Sequence, residues 1–458
     1  MNNNRKFTLN TNQNIIVEFT DERIIPASGL AVVGALLGKS DFAKKLNRMD
    51  VTKNRSQHQI KNGDIILTYI GMLCMGKPYF EAVHEMDDDK AFYQAALGIT
   101  RNIPSEETLR QRMDDIGDSL RETILNENVE LLISNKIHPT ALPNGFVPVD
   151  IDVTPMDNSK SQKEGVSRTY KGFDGYAPMM AYIGTEGYAI NFELREGKQH
   201  CQNGTVEFLQ ETIRLCKKLT DQPLLVRLDS GNDSIDNIAV LIDAGCYFII
   251  KRNLRRESKD GWFDMAKQYC QNITTPRDGK TVYVGSDWKD VCSKQFHKEF
   301  TLRTGYEITE RTVDKYGQIL LIPDVEVETW WTNLGAADEE IIQLYHAHGE
   351  CEQFHSEIKT DMDLERLPSG KFTTNALVLE LGLIAYNILR MIGQGTIGGR
   401  SPRQKRDVRR RRLHTVISNL IMMASHVATH ARQLIMGLGK SNVWRHLFAD
   451  FCESSVAL

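Results

Sequence analysis

Apolar residues recur with two different rhythms along this chain, and the rhythm changes near residue 146. From Ala27 to about Asn135 the spacing is helical. Ser28–Leu37 and Gly63–Met75 read as apolar helices, Tyr79–Met86 and Lys90–Leu97 as shorter ones, and Ser105 is a good N-cap for a helix reaching Ile116. Ahead of this block, Lys6–Phe19 alternates as a short β-hairpin with Asn-rich turns.

After residue 146 the pattern becomes strand-like, then mixed. Strands are expected at 146–153, 177–184 and 188–194, with a polar loop at 157–175. A helix at Thr205–Leu219, a strand at 223–228, a helix at Ser234–Ala244 (with Asp233 a candidate cap) and a strand at Tyr247–Lys251 follow. Three early strands and then alternation with helices predict an α/β fold, a mixed sheet with helices on its faces. This order fits a ribonuclease-H-like core. Residues 252–335 carry the strand-like runs Thr281–Val284, Phe300–Thr304, Tyr306–Arg311, Ile319–Ile322 and Glu326–Leu334, a β-rich insertion. Helices resume at Ala337, with long, largely buried ones expected at Asn375–Ile392 and Thr415–Leu438. The expected division is a helical, DNA-end-binding part at 1–145, the first part of the core at 146–251, the insertion at 252–335, the last part of the core at 336–393, and a basic linker with C-terminal helices at 394–458.

Three acidic residues stand out in this layout. Asp152 lies near the end of the first, central strand and Asp229 at the end of the fourth, which lies beside it; Glu352 sits on a helix after the insertion. Carboxylates so placed suit hard divalent cations, and Mg²⁺ takes one or two of them per ion while leaving room for phosphate oxygens. Two ions about 3.5–4 Å apart can activate a nucleophile and stabilise the leaving oxygen in phosphoryl transfer. Asp152, Asp229 and Glu352 are therefore the candidate catalytic and metal-holding residues. Asp150 rivals Asp152, because alternate residues of a strand face the same side. Lys359 lies seven residues beyond Glu352, two helical turns, so it can hold a phosphate beside the ion; Tyr345 and His348 lie upstream and can reach the same backbone. His346, His348 and His355 invite a zinc reading, but His-x-His on a helix splits the rings between faces and no Cys pair supports it.

Charge changes this picture locally rather than globally. With 56 Lys and Arg against 60 Asp and Glu the chain is slightly acidic, which gives no overall support to a nucleic-acid partner. Residues 400–412, however, hold eight basic residues and a single acid, and their Arg409 and Arg410 are candidate phosphate contacts. Arg110 and Arg112 belong with Thr108 and Gln111 to the exposed first turns of the helix after Ser105, a candidate recognition element of a helix-turn-helix. The eight cysteines are scattered, so reduced thiols are expected rather than a disulfide framework. The amino terminus lacks the apolar core of a signal peptide, and Asn375–Gly393 is broken by Glu380, Asn387 and Arg390, which reads as a buried helix rather than a membrane span. A cytoplasmic protein with no membrane partner is the expectation.

The spacing Tyr345-x2-His348-x3-Glu352-x6-Lys359 resembles the Tyr-x2-Arg-x3-Glu-x6-Lys signature of cut-and-paste DDE transposases of bacterial insertion sequences. Asp152-Val-Thr154 is similar to their first-Asp motif and Leu228-Asp-Ser-Gly231 to their second. The run from Glu352 to Gly370 resembles more closely the insertion-sequence family called thirteen-eighty. One departure is that His348 stands where the signature has Arg, and a shorter imidazole without permanent charge is a poorer phosphate clamp, leaving Lys359 as the main one. The resemblance implies a protein that binds the terminal inverted repeats of its element, pairs two double-stranded DNA ends as a homodimer, and uses two Mg²⁺, with Mn²⁺ as substitute, for cleavage and transfer to target DNA. It also implies an aromatic in the insertion that stacks a flipped base; Trp288, flanked by loop-like Ser286, Asp287, Lys289 and Asp290, is the candidate, ahead of Trp330 and Trp331. The competing readings are a structure-specific nuclease on the same core and a DNA-binding regulator without chemistry.

Overall fold

The computed structural model describes residues 6–49, 51, 59–314, 316–397 and 408–456. The chain opens with a hairpin of β1 (Lys6–Asn10) and β2 (Asn14–Glu18), then β3 (Ile24–Ile25). Helices α1 (Leu30–Leu37), α2 (Phe42–Arg48), α3 (Asn62–Cys74), α4 (Lys90–Leu97), α5 (Glu106–Ile116) and α6 (Arg121–Ser134) follow. Their boundaries have local causes. Asp89 accepts from the Phe92 N–H to start α4, and Gly98 ends it in the left-handed region at φ 69°. Ser105 accepts from the Thr108 N–H to start α5. The short helix expected at Tyr79–Met86 is instead a 3₁₀ stretch over Phe80–Asp89.

The sheet is built from β4 (Val147–Val153), β8 (Met179–Ile183), β9 (Tyr188–Glu193), β10 (Leu224–Leu228) and β11 (Tyr247–Arg252), with α7 (Thr205–Leu219) and α8 (Ile235–Asp243) between the later strands. Short strands β5 (Met156–Asp157), β6 (Ser167–Arg168) and β7 (Asp174–Tyr176) occupy what the sequence suggests is loop. Beyond α9 (Lys259–Tyr269) come β12 (Asn272–Arg277), β13 (Lys280–Ser293), β14 (Lys298–Val313) and β15 (Ile319–Thr332). These continue the same sheet, whose strand order is β12-β13-β14-β15-β11-β10-β4-β8-β9. The insertion is thus an extension of one nine-stranded mixed sheet, and its short expected runs merge into three long strands. Antiparallel pairing of β15 with β11 makes the join. Trp288 accordingly lies within β13, opposite Arg303 of β14, and not in a loop.

After β15 the chain forms α10 (Asp338–His346), α11 (Cys351–Ser356), α12 (Phe372–Gly395), the short α13 (Leu413–Val416), strands β16 (Ser425–His430) and β17 (Gln433–Leu438), and α14 (Arg445–Ser455). Helix α12 is long and apolar enough to cross a membrane, yet 94% of that window is buried inside the protein. It packs on α3, α6 and β9. Asn387 accepts from the Ala189 N–H at 2.8 Å and donates to Asn128 at 2.7 Å, tying α12 to β9 and α6. The long helix expected at Thr415–Leu438 is overturned: most of it is the β16–β17 hairpin, and β16 pairs with β3 near the start of the chain. Its turn uses Ala431 and Arg432 at φ 47° and 66°, where hairpins usually show Asn-Gly, so no turn signal marks it.

One turn fixes α11 against the sheet. Gly187, between β8 and β9, has φ 71°, and a Cβ there would come within 2.3–2.6 Å of the Phe354 ring. Gly187→Ala combines left-handed strain with overlap against α11, and is expected to cost about 2–3 kcal/mol in urea unfolding. Unchanged stability would show that Phe354 is not held against this turn.

Candidate active site

Parallel pairing of β4 and β10 sets the site's geometry. Arg227 lies opposite Asp150 and Leu228 opposite Ile151, so the next positions out are Asp229 and Asp152. Alternation places Asp150 and Asp152 on one face of β4, and Arg227 and Asp229 likewise beside them. The Asp152 side chain is 23% exposed. Burial pushes its carboxyl up to about 7; Asp229 and Glu352 add to the rise, while the His348 ring and the Val153 N–H oppose it. Asp229 caps a tight turn, accepting from Asn232 Nδ2 at 2.8 Å. Glu352, exposed on α11, makes no hydrogen bond or ion pair among the described residues. Acidic groups of like charge gathered in this way are a donor set suited to hard divalent ions.

Asp150, the rival ligand, is already engaged. It is buried, and Arg227 donates to it through Nε at 2.6 Å and Nη2 at 2.7 Å. His348 Nδ1 lies 2.9 Å from the same carboxylate. Arg227 also donates to the Leu344 carbonyl at 2.7 Å, at the end of α10. Asp150, Arg227 and His348 therefore form a second layer directly beneath Asp152, Asp229 and Glu352, drawn from the same three chain segments. His348, expected to contact DNA, is buried and engaged with Asp150. The sequence did carry a signal for this layer: Arg227 sits inside an apolar strand, and a buried arginine needs a buried acid.

The third segment departs from a straight helix. Residues Glu357–Asp361 form a π-turn at the end of α11, so the phase between Glu352 and Lys359 is not that of two ordinary turns. Lys359 nonetheless returns to the site, donating to the Pro155 carbonyl at 2.5 Å, just beyond Asp152. Burial lowers its pKa, against the pull of Glu365 and Asp152. Tyr345 is half-buried, its ring 5.7 Å from Trp330 and 6.0 Å from His348. Tyr170, which the sequence did not single out, is exposed, and its hydroxyl donates to the Val153 carbonyl at 3.2 Å. Burial of that hydroxyl, with Asp152 and Asp229 near it, raises its pKa.

The remaining expected DNA contacts divide. Arg110 is exposed and paired with Glu107 at 2.6 Å. Arg112, expected on the surface, is buried, with its guanidinium donating to the Ile60 carbonyl and to Asn62. Trp288 is 63% exposed. Arg410 donates to Glu357 at 2.6 Å and to Gln353 at 2.9 Å, which ties the basic segment to α11. Arg411 is buried against Thr396, and Arg412 pairs with Asp361 at 2.9 Å. Arg409 is exposed and lines a cleft of about 700 Å³ with Arg227, Asp150 and Glu350. The basic residues of 400–407 lie outside the described residues.

A carboxyl raised by folding is protonated more readily in the folded than in the unfolded chain. Stability contributed by Asp152 therefore falls as pH climbs from the ordinary 3.8 towards about 7. In metal-free protein, Asp152→Asn is expected to be the more stable form at pH 8 by on the order of 1–3 kcal/mol, with the gap closing near pH 4. Urea unfolding in EDTA at the two pH values measures it; a gap that does not narrow at acid pH contradicts the assigned electrostatics.

The family model described as Transposase DDE domain group 1 matches residues 7–455. No curated protein matches the chain. Among solved structures, it is similar to a piggyBac transposase synaptic complex with hairpin DNA, determined by cryo-EM, at 11% identity over 86% of this chain and 80% of that chain, with a TM-score of 0.37. The family match runs through nearly all of the sequence, and this protein belongs to the DDE-domain transposases of group 1.

Proposed function

We propose that this chain is a DNA transposase whose Asp152, Asp229 and Glu352 catalyse divalent-metal-dependent strand cleavage and strand transfer at the terminal inverted repeats of an insertion sequence. The observation that carries the reading is the register of β4 and β10, which makes Asp152 and Asp229 neighbours across two parallel strands while α11 brings Glu352 towards them. The strand order β9-β8-β4-β10-β11, with β8 antiparallel to both its neighbours, supports a ribonuclease-H-like core. Two Mg²⁺ (or Mn²⁺) held by the three carboxylates would supply an activated water and a stabilised leaving oxygen.

The chain's own groups have separable tasks. Lys359, held at the Pro155 carbonyl, presents an ammonium to a phosphate beside Asp152. Asp150 and Arg227 lock the strands and leave Asp152 as the first ligand. Water attacks a phosphodiester and leaves a 3′-hydroxyl on the element's end. That hydroxyl then attacks a phosphodiester of the opposite strand or of target DNA, displacing another 3′-oxygen, with no covalent bond to protein. Two copies of the chain pair the two DNA ends, with exposed Trp288 a candidate for stacking an unpaired base. A nuclease on the same core would give hydrolysis without joining, and a regulator would bind without cutting.

Purified protein, Mg²⁺ and labelled DNA carrying the inverted repeats that flank the gene decide among these. Asp229→Asn and Glu352→Gln are each expected to reduce cleavage by at least about 10²-fold. Undiminished cleavage would refute the assignment, and cleavage without joined product would favour the nuclease. Arg409→Ala is expected to lower the slope of log affinity against log salt by about one, because this arginine, unlike 410 to 412, has no ion-pair or hydrogen-bond partner for its side chain among the described residues. An unchanged slope removes it from the interface.

A further inference from the structure

The inner side of α11 holds a set of metal donors different from the carboxylates. Cys351 and His355 are one helical turn apart and both turned inward, 1% and 5% exposed. Asp152 meets them from β4, and one donor atom from each of the three lies within 4.8 Å of the others. His355 Nδ1 is 3.8 Å from Asp152 Oδ2. The other ring nitrogen, Nε2, is buried with no hydrogen-bond partner among the described residues. Such an orphaned polar atom costs about 1–3 kcal/mol, which argues that the ring is placed for something besides packing.

The donor types select the ion. Magnesium prefers oxygen alone, whereas thiolate and imidazole with one carboxylate suit zinc. Tetrahedral zinc sets neighbouring ligand atoms roughly 3.3–3.8 Å apart, so the three donors need to close by about 1 Å. Rotation of the Asp152 side chain, which is 23% exposed, can supply that and leaves an entry path. His348, next along the helix, is not available because it is engaged with Asp150. The candidate donors are thus not the His-x-His pair that the sequence argues against, but a cysteine and a histidine four apart with a strand aspartate.

We propose that Asp152, Cys351 and His355 form a site for a thiophilic divalent ion, zinc or cadmium, and that filling it withdraws Asp152 from magnesium and halts phosphoryl transfer. The inhibitory half rests on Asp152 being a magnesium ligand, while the ligand set stands without it.

Full-length protein free of DNA and Mg²⁺ is titrated with Cd²⁺ and the ultraviolet cadmium–thiolate charge-transfer absorbance is read. A band saturating near one ion per chain is expected, absent in Cys351→Ser and requiring at least about tenfold more Cd²⁺ in His355→Gln. A band of undiminished size in Cys351→Ser assigns it to the other cysteines and overturns the site, as does the lack of any band in the wild type. If Cys351→Ser does not fold by circular dichroism, His355→Gln decides: wild-type Cd²⁺ affinity overturns the site and weakened affinity supports it. Zn²⁺ should also inhibit Mg²⁺-dependent cleavage, with the half-inhibitory concentration rising about tenfold for a tenfold rise in Mg²⁺; inhibition independent of Mg²⁺ overturns the competition. Absence of cleavage with every ion would sink the transposase reading, and the cadmium band would still decide the site.

Discussion

The buried ion pair between Asp150 and Arg227 is the constraint on which the rest of the candidate active site depends. Two strands whose facing sides are apolar could slide past one another by two residues and still bury their side chains, since the pleat repeats every two. A bidentate guanidinium–carboxylate pair inside that surface removes the freedom, because a displaced register would strand a charge in the core. His348 adds the helical segment to the same anchor. The outer residues inherit their positions: two further along each strand and four further along the helix come Asp229, Asp152 and Glu352.

The two layers divide the electrostatic work. In the deeper one each charge is compensated, and the compensation holds the segments together. In the outer one compensation is withheld: the Asp152 carboxyl is pushed up by burial and by its acidic neighbours, and His355, lowered by burial to about 3, stays neutral beside it. The repulsion persists because other contacts hold the segments in place. Buried Glu357, bound by Arg390 and by Arg410, pins the turn after α11, and Phe354 seats against Gly187. Folding energy gathered elsewhere thus maintains an arrangement that a divalent cation would relieve.

Much of this was legible in the sequence for a physical reason. Strands with clear alternation and helices with strong caps, such as β4, α4 and α5, declare themselves locally, and the order of strands and helices places β10 beside β4. The acidic residues at strand ends follow from that order. What stayed hidden depends on distant contact. Nothing local distinguishes Arg112 on a polar helix face from Arg110, yet the Ile60 carbonyl and Asn62 cover only the former. Thr415–Leu438 has apolar residues compatible with either period, and the strand that pairs with it lies near the other end of the chain. The long strands β13 to β15 were broken into short runs because Gly305 and the many charges interrupt an otherwise readable alternation.

That pairing of β3 with β16 has a consequence for how the molecule is made. Ile25 lies against Ser425, and Ser28 bonds to the carbonyl of Met423. A ribosome must add about 400 residues between the two partners, a delay of tens of seconds at elongation rates of roughly 5–20 residues per second. Strand β3 therefore waits as an open edge until β16 has emerged, and this part of the molecule closes only then. Premature termination before that point yields a chain whose β3 never finds its mate.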